Sequence, residues 1–455
     1  MRLVPRIGFT VLSNILNQEI ILNKFCLTGA ALALAGCTLL SACGGGGGGG
    51  TEATSTSVAG YNADSASAAA SARGAAAASA KPGIAYPFGS QLTAYVAGIK
   101  PTVATQDAQN AVIRKQYDKW KVDGVQNRCG GAVVVFNSQY ATVSEGAGYG
   151  MLLTVVMAGY DGEARTLFDK LFHVVRAKPA YGANQPALME WRINADCSSA
   201  GEGWNAMDGD LDIAMALLMA DKQWGSAGKV DYRAEALKTI AAIKASNMSP
   251  AGFTKGLPNA ANNRTSDYMI THFKAFKRAT GDAFWDVASD RAFDLLNLMQ
   301  NKFAPNTGLI PDFIINTATN PEPSTGFIGD GNAMEGFYYW NACRLPWRLA
   351  SDYVTSGDER SKQVTTRMMN FFEKSTGGQP GLIQAGYKLD GTGLSSYAAP
   401  SFIGPATAGA MVDAKFQPFL NSLWTHSTAN LAQDYYDKEL QLLSLIVVSG
   451  NWWNP

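Results

Sequence analysis

The stretch that decides the fold reads Ala206-Met207-Asp208-Gly209-Asp210-Leu211-Asp212-Ile213-Ala214 and runs on through Ala216-Leu217-Leu218-Met219-Ala220 to Trp224. Three aspartates at alternate positions open an apolar run that reads as a helix. One of them could serve as an amino-terminal cap, but capping does not call for three. A calcium loop is the rival, yet the later Glu and the ligand run of an EF-hand are missing. Outward from this segment, apolar spacing near 3.6 recurs over 107–121, 145–160, 163–176, 209–223, 231–246, 266–280, 283–302, 334–354, 358–374, 403–412, 415–424 and 432–449. Strand-like alternation is scarce, with Ala132-Val133-Val134-Val135-Phe136 the best candidate. Turn chemistry such as Thr280-Gly281-Asp282 and Ser356-Gly357-Asp358 separates the helices. About twelve helices predict an all-α bundle, solenoid or double-layered barrel, and the lack of a strict 30-to-45-residue repeat weighs against the solenoid.

Composition bounds the function. Of 455 residues, 47% are hydrophobic and 10% aromatic, enough for a large core. The 37 basic residues balance 37 acidic ones, which speaks against nucleic-acid binding through bulk positive charge. Only 16% are charged, against about 25% in typical globular chains. Part of that deficit lies in the first 82 residues. From Phe25 to Ala42 the chain is nearly free of charge behind Lys24, and small residues end the run, the pattern of an export signal. Leu34-Ala35-Gly36-Cys37 and Leu40-Ser41-Ala42-Cys43 both resemble a bacterial lipoprotein cleavage box, with Cys43 favoured because seven glycines follow it. The expected organisation is an export segment over 1–43, a Gly/Ala/Ser-rich flexible linker over 44–82, and one catalytic domain over 83–455. Contact with a membrane is then expected only through a lipid at Cys43, and the protein is expected to be an exported monomer, either secreted or an outer-membrane or periplasmic lipoprotein. Cys129, Cys197 and Cys343 remain in the body, so at most one internal disulfide can form, and its pairing is open. No Cys-x-x-Cys occurs among them, and His173, His272 and His426 are scattered, so neither a metal nor a cofactor is expected.

Two further constellations carry chemistry. In Val143-Ser144-Glu145-Gly146-Ala147-Gly148-Tyr149-Gly150-Met151, the closely spaced glycines permit tight backbone approach around a carboxylate. The bland alternative is a first-turn Glu that complements the helix dipole. Phe337-Tyr338-Tyr339-Trp340-Asn341-Ala342-Cys343-Arg344 offers aromatic faces for sugar rings and polar groups for hydroxyls, or simply core aromatics. If 334–354 is one helix, Asn341 and Arg344 share a face of it.

Together these motifs resemble glycoside hydrolase family 8, the cellulases, chitosanases, lichenases and xylanases. The likeness spans the body of the chain, including Ser266-Asp267-Tyr268 and the closing Asp434-Tyr435-Tyr436. It implies an (α/α)6 barrel and an inverting general acid/general base mechanism. By position, Glu145 matches the general acid and Asp208 the carboxylate that holds the distorted sugar. Trp191 and Arg344 match a stacking tryptophan and an active-site arginine, and Tyr149, Trp340, Asn341 and Tyr436 join them as expected substrate-binding residues. One departure is Met207, where Ser or Thr is usual, and a second concerns the base. Many members carry Asp before Ala-Cys-Arg, whereas this chain has Asn341, whose amide cannot take a proton from water. The branch with Asn there uses a loop Glu as base, which points to Glu335 or Asp330, with Glu322 ranked lower. The expected activity is endo-hydrolysis of a β-1,4-linked or mixed-linkage glycan, with neutral β-glucan favoured over chitosan. The alternative is a glycan-binding barrel with weakened catalysis.

Overall fold

The computed structural model describes residues 83–183, 185–256, 262–326, 333–429 and 431–455. The expected export segment over 1–43, the expected linker over 44–82 and Asp330 lie outside the described residues. Twelve α-helices occur among those described: α1 (Gln106–Gly124), α2 (Ser144–Val156), α3 (Ala164–Ala177), α4 (Met207–Trp224), α5 (Tyr232–Asn247), α6 (Ile270–Thr280), α7 (Phe284–Leu298), α8 (Leu345–Ser356), α9 (Glu359–Thr376), α10 (Pro400–Gly409), α11 (Gln417–Ala429) and α12 (Tyr435–Val448). The even-numbered helices contact one another in a closed ring, α2 to α4 to α6 to α8 to α10 to α12 and back to α2. Each odd-numbered helix packs outside an even one, α1 on α12, α3 on α2, α5 on α4, α7 on α6, α9 on α8 and α11 on α10. This is an (α/α)6 barrel.

The two layers follow from the sequence. Inner helices must be apolar on almost every side, because neighbours surround them. In α2 every residue except Glu145 is buried, and in α10 every residue except Pro400. Outer helices such as α3 bury one stripe, Phe168, Leu171, Phe172 and Val175, and leave polar residues outside. No helix among the described residues is long and apolar enough to cross a membrane.

Short strands edge the barrel. Strand β1 (Val125–Gln126) pairs antiparallel with β2 (Val133–Val134), so the expected strand at 132–136 forms only two ladder residues. Strand β3 (Tyr140–Val143) pairs with β6 (Arg192–Asn194), and β4 (Pro179–Ala180) with β5 (Gln185–Met189). A three-stranded sheet joins β7 (Asn263–Arg264), β8 (Phe313–Ile315) and β9 (Glu322–Pro323). Cys129 and Cys197 form the disulfide, and Cys343 is free and buried.

The segment 334–354 is a correction. A 3₁₀ turn at Ala333–Gly336 is followed by a non-helical stretch, a second 3₁₀ turn at Ala342–Arg344, and then α8. Two physical causes are visible. Asp312 accepts the backbone N–H groups of Tyr339 (2.9 Å), Asn341 (3.1 Å) and Ala342 (2.7 Å), withdrawing them from any helical ladder. Pro346 sits in the first turn of α8, where its missing N–H costs nothing. Asn341 and Arg344 are therefore neighbours across a turn and not on one helical face.

Candidate active site

Glu145 and Asp208 lie in the first turns of the adjacent inner helices α2 and α4. Their approach depends on the glycines of both motifs. A Cβ on Gly209 would lie 2.5 Å from the Ser144 carbonyl carbon, and one on Gly148 would lie 2.7 Å from the Asp212 Cβ. Glycine at these two positions lets the helices touch backbone to backbone.

Arg344 ties the two carboxyls together. Its Nη1 donates to Glu145 Oε2 at 2.6 Å and to Asp208 Oδ2 at 2.8 Å. Its Nη2 donates to Ser266 Oγ and to Asn341 Oδ1, both at 2.8 Å. Arg264, on β7, meets Asp208 Oδ1 at 2.7 Å and Asp267 at 3.1 Å. Asp208 also accepts the Gly209 N–H at 3.0 Å. Tyr435 donates its hydroxyl to Glu145 Oε1 at 3.0 Å.

The carboxyls differ in charge for reasons of environment. Burial pushes Glu145 up from its ordinary 4.5 to about 7, with nearby Asp208 adding to the rise and Arg344 and the Tyr435 hydrogen bond opposing it. Burial also disfavours ionised Asp208, but Arg264 and Arg344 outweigh it and hold the group down at about 2. Near neutral pH the site therefore pairs an acid that keeps its proton part of the time with a fixed anion. The Glu145 side chain retains 16% exposure and that of Asp208 only 3%, so Glu145 is the one open to a ligand.

The other aspartates of the α4 motif work elsewhere. None caps the helix: Ala206 holds the cap position without a side-chain bond. Asp210 accepts the Met189 N–H and the Asn205 amide, both at 2.9 Å, fastening α4 to β5. Asp212 is held by both Nη atoms of Arg348 and by His272 Nε2 in the barrel interior.

The aromatic residues divide. Trp191 is half-buried at the rim, its carbonyl accepting the Ser144 N–H at 2.8 Å, one residue from Glu145. Its indole N–H donates to Glu202, which also pairs with Arg192. Trp340 and Tyr436 are half-buried and packed edge to face, and the Tyr436 hydroxyl donates to the Trp340 carbonyl. Tyr149 is a correction: at 0% exposure, against Trp347 and Arg348, it forms the wall beneath the carboxyls and offers no face to a sugar.

Asn341 has its amide fixed, with Oδ1 toward Arg344 and Nδ2 donating to Asp312 at 3.2 Å. Glu335 is buried in its 3₁₀ turn and accepts the Ser324 hydroxyl at 2.7 Å. Glu322 lies on β9, accepting the Asn316 amide at 3.1 Å. Sequence reasoning missed Arg264 and Asp312. Arg264 stands just before Ser266-Asp267-Tyr268 and Asp312 in no recognisable motif, and each acquires its role from contacts with residues on other elements.

Residues 97–450 match the family described as Glycosyl hydrolases family 8. The chain is 38% identical over 372 residues to a beta-glucanase of Niallia circulans, an alignment covering 80% of this chain and 90% of that protein. It is 34% identical over 385 residues to an endoglucanase of Bacillus sp. strain KSM-330, covering 81% and 82%. Among solved structures, the apo β-1,3-1,4-glucanase of Paenibacillus sp. X4 matches with a TM-score of 0.78 and 36% identity, covering 82% of this chain and 100% of that one. With the carboxyl pair at the mouth of an (α/α)6 barrel and the family covering most of its length, this chain belongs to glycosyl hydrolase family 8 and is an endoglucanase-like O-glycosyl hydrolase.

Proposed function

We propose that the protein cleaves a neutral β-1,4-linked or mixed-linkage β-glucan internally and with inversion. The observation that carries this reading is the single guanidinium nitrogen of Arg344 shared by a carboxyl raised to about 7 and a carboxylate lowered to about 2. Glu145 donates its proton to the leaving glycosidic oxygen as the bond to the anomeric carbon breaks. Asp208 remains charged beside the developing oxocarbenium ion. Asp208 is not the base: the two bonds to Nη1 hold it nearer to Glu145 than the roughly 6.5–9.5 Å that makes room for an attacking water. Nor is it a nucleophile, because its two oxygens already accept from Arg264, Arg344 and the Gly209 N–H.

The base in this reading is Glu335, which takes the proton of the water that attacks the anomeric carbon. What supports Glu335 is its place in a turn leading directly into the segment with Asn341, and its fixation by Ser324. Asn341 and Arg344 orient the sugar, with Trp191, Trp340 and Tyr436 bordering the site. The relatives named beta-glucanase and endoglucanase favour β-glucan over xylan or chitosan.

A panel of carboxymethyl-cellulose, lichenan, xylan and chitosan tests the substrate, and proton NMR of the first product tests inversion, with the α-anomer expected. Glu335→Ala should lose activity that sodium azide partly restores as a glycosyl azide. Full activity in Glu335→Ala together with loss in Asp330→Asn would move the base to Asp330. Glucan binding with no hydrolysis of any member of the panel would favour the weakened-catalysis alternative.

A further inference from the structure

We propose that Tyr181 and Trp204 extend the sugar-binding surface outward from Trp191, forming a ledge that holds additional units of the same polysaccharide beyond the cleavage site; this rests on the glycan-hydrolase reading above. The ledge can be traced by backbone contacts. The Ser144 N–H, beside Glu145, bonds to the Trp191 carbonyl at 2.8 Å, and the Trp191 N–H bonds to the Trp204 carbonyl at 2.8 Å. Gly203, next to Trp204, adopts a left-handed φ of 68° and approaches Gly182 so closely that a Cβ would stand 2.7 Å from the Gly182 nitrogen. Gly182 follows Tyr181. Glu145, Trp191, Trp204 and Tyr181 are thus consecutive along one rim.

The exposure of these rings has no structural explanation in the fold itself. Trp204 is 37% exposed and Tyr181 74%, whereas every other tryptophan of the chain is buried or packed against the core. Neither ring stacks on another ring among the described residues. A flat amphipathic ring at a wet surface suits a sugar, whose axial C–H groups make an apolar face with hydroxyls around its edge.

The backbone that carries the ledge is built in advance. The Cys129–Cys197 disulfide fastens its turn to the chain after β1. Glu190 accepts the Ser199 hydroxyl at 2.7 Å and the Gly203 N–H at 3.3 Å, while Asn194 and Ser198 close the intervening turn. The charge of Glu202 is matched by Arg192, which stacks on Trp191 at 4.7 Å. That neutrality fits a neutral polymer better than an amine-bearing one. Order present before binding reduces the entropy lost when a flexible chain is captured.

The test uses affinity electrophoresis in mixed-linkage β-glucan, on the inactive Glu145→Gln protein with and without Trp204→Ala or Tyr181→Ala. Each removal should weaken retardation about two- to tenfold, the worth of one stacked ring, and Trp204→Phe should restore most of it. In the active protein, the ratio of kcat/KM on polymer to that on cellotetraose should fall by a similar factor. Undiminished binding in both Ala variants, or an unchanged ratio, would overturn the ledge while leaving the site reading intact. A Glu145→Gln protein that binds none of the panel polysaccharides would instead overturn the reading on which the ledge rests.

Discussion

Glu145→Gln gives the sharpest test of the acid assignment, because one raised pKa must register in two independent measurements. The carboxyl titrates near 7 in the folded protein against an ordinary 4.5. Between those values the unfolded chain has released the proton that the folded chain keeps, so stability falls as pH rises through this window. At roughly 1.4 kcal/mol per unit, ionising Glu145 costs the fold about 3 kcal/mol by pH 8. Glutamine fixes the neutral form, so the variant should match the parent near pH 4.5 and exceed it by up to about 3 kcal/mol at pH 8. At about 2.1 cal/mol/K per residue over roughly 370 residues, that gain is about 4 °C in Tm. Calorimetric melting of both proteins from pH 4.5 to 9 reads the difference. In parallel, kcat/KM of the parent should fall tenfold per unit above pH 7, as the proton donor is lost, while the variant stays inactive at every pH. A flat stability difference across this range, or an active Gln variant, would refute the proposal that Glu145 is the protonated acid.

Three further outcomes follow from the same contacts. Asp312→Ala strands the N–H groups of Tyr339, Asn341 and Ala342, and should lower stability by roughly 3–5 kcal/mol in urea unfolding, with Asp312→Asn less damaging. Asn341→Asp sets a carboxylate against Asp312, itself raised to about 7 by burial despite the N–H groups it accepts, so the loss in Tm should be larger at pH 8 than at pH 6; a gain in activity without that loss would identify position 341 as a base site. Gly209→Ala drives a methyl into Ser144 and should cost about 1–3 kcal/mol by thermal melting, and lower kcat more than it raises KM, because it separates the carboxyl helices.

The aspartate motif shows how far local sequence could reach. It located the helix, its apolar body and the carboxylate that matters, but three identical side chains received three different duties only when β5, Arg348, His272 and Arg264 arrived from elsewhere in the chain. The misread helix at 334–354 has the same origin. Its aromatic spacing satisfies a period of 3.6, and nothing within the segment announces that Asp312 will take its backbone donors. Tyr149 shares a motif with Glu145, yet a residue's direction within the barrel is set by its neighbours, and it is buried against Trp347 and Arg348.

What the sequence by itself determined is the number and extent of most helices, because apolar periodicity and turn residues act over a few positions. It also determined the place of Glu145 and Asp208 at helix starts beside glycines, whose lack of a side chain is a local property. Only the tertiary structure decided that these starts meet, that one arginine bridges them, and that burial keeps a proton on Glu145 while two guanidinium groups strip it from Asp208. Charge in a buried site depends on the distance to groups that are remote along the chain, and those distances exist only once the ring of helices has closed.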